Sequence, residues 1–103
     1  MLDFAFATHD EICKEIGARL KTQRLAQSTT QADLAARAGV SEKTVKNIEN
    51  KGQASLDSAV RVIVALGLAD HLQPLFTHQV KSIAQMEEAE QTQRMRAPRR
   101  SQK

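Results

Sequence analysis

Between Thr30 and Asn50 the chain reads Thr-Gln-Ala-Asp-Leu-Ala-Ala-Arg-Ala-Gly-Val-Ser-Glu-Lys-Thr-Val-Lys-Asn-Ile-Glu-Asn. Thr30 and Ser41 each suit a helix N-cap, because a side-chain hydroxyl accepts from an orphan first-turn amide. Asp33, three residues after Thr30, is placed as the reciprocal partner. Leu34, Ala35 and Ala38 form an inner face at helical spacing, and Val45 and Ile48 anchor the segment that follows. Ala35 is small enough to let the next helix cross closely. Gly39 falls where the chain reverses and a positive φ is wanted. Val40 plugs the turn into the core. Two short helices joined by a tight turn follow. In the second, Glu42, Lys43, Thr44, Lys46, Asn47, Glu49 and Asn50 leave one narrow apolar edge and a broad polar face.

Further helices flank this pair. Thr8 and Glu11 make a capping box that opens a first helix. Ile12, Ile16, Leu20 and Arg24 recur every fourth residue along it, so an arginine closes an apolar stripe. Either that end is exposed, or Arg24 has an acidic partner. Ser28-Thr29-Thr30 ends the helix. Ser55 caps a fourth helix with Leu56, Ala59, Val60, Ile63 and Leu66 as its buried set, and Gly67 stops it. Asp70 is placed to cap a short fifth helix carrying Leu72, Leu75 and Phe76, with Pro74 in its first turn. Leu2, Phe4 and Phe6 alternate at the start of the chain, as a short strand, a docking arm or a frayed terminus would. Val80, Ile83 and Met86 are spaced for a marginal helix to about Arg96, and Pro98 ends it ahead of a disordered tail.

Composition narrows the chemistry. The chain has 103 residues and no Trp or Tyr, and its aromatic fraction is 3%. That suits one domain of close-packed helices and disfavours the aromatic platforms that bind single strands. The net charge is +3, unevenly spread. Acids predominate before Gly17 and around Glu87, Glu88 and Glu90, whereas Arg94, Arg96, Arg99, Arg100 and Lys103 have no acid among them. A basic centre and tail fit a polyanion partner, or a solvated surface. Cys13 has no second cysteine to pair with and is expected to pack inside the first helix. His9, His71 and His78 lack zinc-ligand spacing, so no metal and no cofactor is expected, and no Gly-rich phosphate loop or catalytic constellation is visible. Without a membrane-length apolar run or a signal-like N-terminus, a cytoplasmic protein that is not an enzyme is the expectation.

The two-helix unit is the helix-turn-helix pattern, whose second helix lies in the DNA major groove. Ile16-Gly-Ala-Arg-Leu-Lys-Thr-Gln-Arg-Leu, Thr30-Gln-Ala-Asp-Leu-Ala, Ala38-Gly-Val-Ser, Ile48-Glu-Asn and Ala65-Leu-Gly-Leu together resemble the lambda-repressor-like DNA-binding domain of the XRE/Cro/CI family. The resemblance spans about Ile16 to Phe76. It implies an all-α, five-helix domain over residues 12–77, with an N-terminal arm at 1–11 and a C-terminal extension at 78–103. By this resemblance Glu42, Lys43 and Asn47 read base edges, and Lys46 lines the same face. Glu42 has a second reading, as an acid stabilising its helix N-terminus. Gln31, Thr44, Asn50 and Lys51 would contact phosphates, although Lys51 stands where the family often has Gly. The family also pairs an arginine late in the first helix with a glutamate late in the recognition helix, here Arg24 with Glu49.

Two functions are compatible with these features. One is a sequence-specific repressor that binds palindromic double-stranded DNA as a homodimer, through Leu68, Leu72, Leu75 and Phe76 unless those residues close the monomer core. The other is an antitoxin: the Ala65-Leu-Gly-Leu-Ala-Asp-His-Leu stretch and basic tail look similar to HipB-like antitoxins, which restrain a toxin kinase and autoregulate their operon. Residues 1–11 and 78–103 would then hold the partner, or the tail adds phosphate contacts, or it is inert.

Overall fold

The computed structural model describes residues 2–78. A 3-10 turn, Phe4–Phe6, precedes five helices: α1 (His9–Ala26), α2 (Gln31–Ala38), α3 (Glu42–Lys51), α4 (Leu56–Ala65) and α5 (Ala69–Leu72). The fold is all-α, with no strand among the described residues. The chain divides into two units, Met1–Gln73 and Pro74–Lys103. All five helices lie in the first. The expected helix around Val80 to Met86 and the basic tail lie outside the described residues.

Side-chain caps set most of the helix starts. Thr8 Oγ1 accepts from the Glu11 amide at 3.1 Å, and Glu11 Oε1 accepts from the Thr8 amide at 2.9 Å. Thr30, Ser41 and Ser55 each accept from the amide three residues on. Among the described residues, the return bond expected from Asp33 to Thr30 is not formed. The start of the chain is a 3-10 turn rather than a strand. Asp3 caps the 3-10 turn, and the Phe4 ring lies 5.0 Å from the Arg19 guanidinium.

The core is Leu20, Leu34, Ala35, Ala38, Val45, Ile48, Val62 and Leu66, with Val40, Ile63, Ala65 and Leu68 packed against it. Expectations for three of the helices need correction. On α1 only Leu20 and Arg24 of the expected stripe are buried. Ile16 and Cys13 are exposed, although the Cys13 backbone lies against Gly52 and α3 meets α1 at Gly17. On α4 and its C-cap the buried residues are Val62 and Leu66, with Ile63 packed against the core, and Leu56 is exposed. That helix is apolar on several sides, so periodicity did not select the face that packs. Before α5 the chain turns at Gly67, and Leu68 rather than Asp70 occupies the N-cap, with no side-chain bond. The helix ends at Leu72, so Pro74, Leu75 and Phe76 lie beyond it.

Gly17 and Gly52 explain how closely α1 and α3 approach. A Cβ on Gly17 would strike the backbone carbonyl of Ile48, and one on Gly52 would strike the backbone of Cys13 and Lys14. Glycine in a helix interior is about 1 kcal/mol less favourable than alanine, so Gly17 is tolerated for the contact it permits. Gly17→Ala is therefore expected to lower unfolding free energy by about 1–3 kcal/mol, as overpacking does, measured by urea denaturation. A more stable variant, as helix propensity alone would give, would show that α1 and α3 do not pack this closely.

Candidate nucleic-acid interface

One buried ion pair sets the orientation of α3. Arg24 Nε donates to Glu49 Oε2 at 2.7 Å, and Arg24 Nη2 donates to Glu49 Oε1 at 3.0 Å. The arrangement is bidentate, the strong form of this contact. The two side chains are only 8% and 2% exposed. Two ions removed from water in this way need further partners, and they have them. Arg24 Nη1 donates to the Thr29 carbonyl at 2.8 Å, and Gln31 Nε2 donates to Glu49 Oε1 at 3.0 Å. Thr29 Oγ1 in turn accepts from Arg37 Nη2 at 2.8 Å. No buried side-chain polar atom among the described residues lacks a partner. The end of α1, the α1–α2 loop, the start of α2 and the last turns of α3 thus share one network.

Its electrostatics are those of a satisfied pair. Burial pushes the Glu49 carboxyl up, but the hydrogen bonds from Arg24 and Gln31, with the charges of Arg24 and Lys21, outweigh burial and leave it below its ordinary value. The hydrogen bond to Glu49 holds the Arg24 guanidinium above its ordinary value, against the opposing effect of burial.

With Val45, Ile48 and Glu49 facing inward, the rest of α3 turns outward. Lys43, Asn47 and Asn50 recur at i, i+4 and i+7, opposite Val45 on the helix. Lys43 and Asn50 are exposed and Asn47 is half-buried. Lys46 lies beside them and pairs with Glu42 at 3.6 Å, both side chains about half exposed. Glu42 therefore tempers the charge of Lys46 as well as standing in the first turn, where an acid is favoured. Among the described residues Lys43 and Lys51 make no ion pair. Thr44 is turned to the cap, 2.8 Å from the Ser41 hydroxyl. Lys51 is the last helical residue, and Gly52, at φ 64, takes the left-handed position after it. The glycine expected at Lys51 is thus displaced by one residue without loss of the cap.

The α3 residues singled out from the sequence therefore share one helix, with Lys43, Lys46, Asn47 and Asn50 on its outward side. Gln31, at the first position of α2, is half-buried and committed through one amide hydrogen to Glu49. Leu68 and Leu72 are half-buried, Leu68 against the core, and Leu75 and Phe76 belong to the second unit. Sequence reasoning missed Thr29 as an acceptor for both arginines and Gln31 as a third member of the ion pair. The only signal for either was position, at the loop where Arg24 ends the α1 stripe.

A surface helix carrying amide and cationic side chains, presented by a preceding helix and a tight turn, is a helix-turn-helix DNA-binding unit. A family model described as Helix-turn-helix matches residues 20–70, and over that stretch the chain belongs to the XRE, lambda-repressor-like helix-turn-helix family. The family is DNA-binding and regulatory. Among curated proteins none matches the chain. No helix among the described residues is long and apolar enough to cross a membrane.

Removing one partner of the buried pair strands the other charge. Arg24→Ala is expected to destabilise the fold by about 3–5 kcal/mol, read as a large fall in the chemical denaturation midpoint. The pH dependence has a definite sign. Because the folded Glu49 value is depressed, its contribution is complete above the unfolded value of about 4.3. It is lost as pH falls through the folded value. The stability gap between wild type and Glu49→Gln should therefore be widest near neutrality and narrow in acid. A gap that stays constant to the acid limit would show that Glu49 carries no depressed titration.

Proposed function

We propose that this chain is a sequence-specific transcriptional repressor that binds double-stranded DNA as a homodimer, each copy laying α3 in the major groove. The observation that carries the reading is the outward face of α3, with Lys43 and Asn47 directly opposite its buried edge and the helix clamped by Arg24 and Glu49. Lysine donates to guanine O6 and N7, and asparagine pairs with the adenine edge. Lys46 and Glu42 flank them. Glu42 accepts from cytosine N4 or remains with Lys46 as a helix-start acid. Gln31, Thr44, Asn50 and Lys51 contact phosphates, Gln31 through the start of α2, where free amides favour anions. Two copies related by a two-fold axis read palindromic half-sites about one helical turn apart.

A second reading keeps the DNA function and adds a partner protein. It makes the chain a HipB-like antitoxin that restrains a toxin kinase. It draws on Phe6, which is 89% exposed in the segment assigned to partner binding. Deleting residues 91–103 and replacing Phe6 by Ser, followed by co-purification with the product of a neighbouring gene, separates this from a repressor acting alone.

Selection of bound duplexes from a random pool at two salt concentrations tests the main reading. A palindromic consensus with steep salt dependence is the expected result; no enrichment overturns it. Lys43→Ala should then lose about 1–3 kcal/mol and relax specificity at one base position per half-site. Lys51→Ala should weaken all sequences alike and reduce the salt slope by about one.

A further inference from the structure

The helix α4 has an apolar face that its own core does not use. Leu56, Val60 and Val64 recur every fourth residue along it, away from the buried Val62 and Leu66. Leu56 is 81% exposed and Val64 52% exposed, while Val60 is half-buried. A single exposed apolar residue needs no explanation, but a row aligned on one helix marks an interaction surface. Beside the row, Arg61 Nε meets Asp57 Oδ2 at 2.8 Å, with side chains 54% and 77% exposed. An exposed pair of this kind contributes little on its own, so either ion can exchange its partner.

We infer that this face is the homodimer contact, packed on the same face of a second copy with the two α4 helices antiparallel. The inference rests on the homodimer reading above. A two-fold contact must be self-complementary: what one residue meets on the partner must be met in return. The spacing has that property about Val60. An axis there sets Leu56 against the partner's Val64, Val60 against the partner's Val60, and Val64 against the partner's Leu56. The same axis brings Asp57 of each copy towards the partner's Arg61, so the charges at the edge are complementary across the seam as well as within each helix. The contact helix has only 10 residues, whereas a standard interface uses roughly 20–30 residues a side. Association in free solution is therefore weak. DNA strengthens it by holding two copies on adjacent half-sites, where the second contact forms at high effective concentration.

Sedimentation equilibrium of the full chain, up to millimolar concentration, tests this. Wild type should dimerise reversibly, and Val64→Lys should lose dimerisation while keeping its helical circular dichroism. Asp57→Arg presents two arginines at the seam and Arg61→Asp presents two aspartates, so each alone should self-associate at least about tenfold more weakly than wild type. An equimolar mixture of the two should recover association as a heterodimer. A second, independently folded variant, Leu56→Gln, should weaken the dimer in the same sense. A monomer at every concentration overturns the inference, as does a dimer indifferent to Val64→Lys and to mixing. A monomer whose melting temperature alone falls on Val64→Lys would show the face covered by the chain's own residues, and equally overturns it. Selection of bound duplexes from a random pool separates the two proposals: monomers that enrich a duplex leave the α3 contact with DNA intact, and dimers that enrich none refute that contact while the α4 contact stands.

Discussion

The Arg24–Glu49 pair is the constraint on which the rest of the fold depends. A recognition helix has to expose most of its surface, which leaves little apolar area to hold it. On α3 that area is Val45 and Ile48. The bidentate pair supplies what those two residues lack, namely direction. Hydrophobic contact is indifferent to small rotations of a helix about its axis, whereas two parallel N–H···O bonds are not. The pair also reaches beyond α3. Through Thr29 and Gln31 it fixes the α1–α2 loop and the start of α2, so the start of α2 and the last turns of α3 are set by one buried network.

Close approach makes the network possible. Gly17 lets the Ile48 backbone lie against α1, and Gly52 both ends α3 and admits the backbone of Cys13 and Lys14. The small Ala35 and Ala38 do the same for α2 in the core. The low aromatic content seen in the sequence is thus a consequence of short helices packed at short range, with alanine and glycine at the crossings and Leu, Ile and Val filling the centre.

Much of this was legible in the residues because the relevant signals are local. Thr8, Thr30, Ser41 and Ser55 cap where a hydroxyl before an apolar-periodic segment predicts, and Gly39 takes the left-handed turn between α2 and α3. The arginine at the end of an apolar stripe left two readings open, an exposed helix end or an acidic partner, and the choice of Glu49 came from family resemblance rather than spacing. What was not legible depends on tertiary choice. On α4 the sequence placed Ile63 and Leu66 at the core but buried Leu56 and missed Val62, because Val60, Val62, Ile63 and Val64 leave the helix apolar on several sides. The start of α5 depended on the turn at Gly67, which moved the cap from Asp70 to Leu68. Cys13 is exposed although it shares a helix face with Gly17, Leu20 and Arg24, and its spacing alone would have placed it inside. The outward residues of α3 follow from its two apolar anchors, but the commitment of Gln31 to Glu49 is a contact across 18 positions and has no local signature.

The central claim is that α3 meets base pairs while the network behind it stays fixed. Backbone amide chemical shifts, recorded as the chain is titrated with a duplex selected from a random pool, test it most directly. The account predicts the largest shifts at Lys43, Lys46, Asn47 and Asn50, with a second set at Gln31 and Ala32, and a side-chain Arg24 Nε signal that persists throughout. Large shifts confined to α4, α5 or the N-terminal turn, with α3 unmoved, would contradict it.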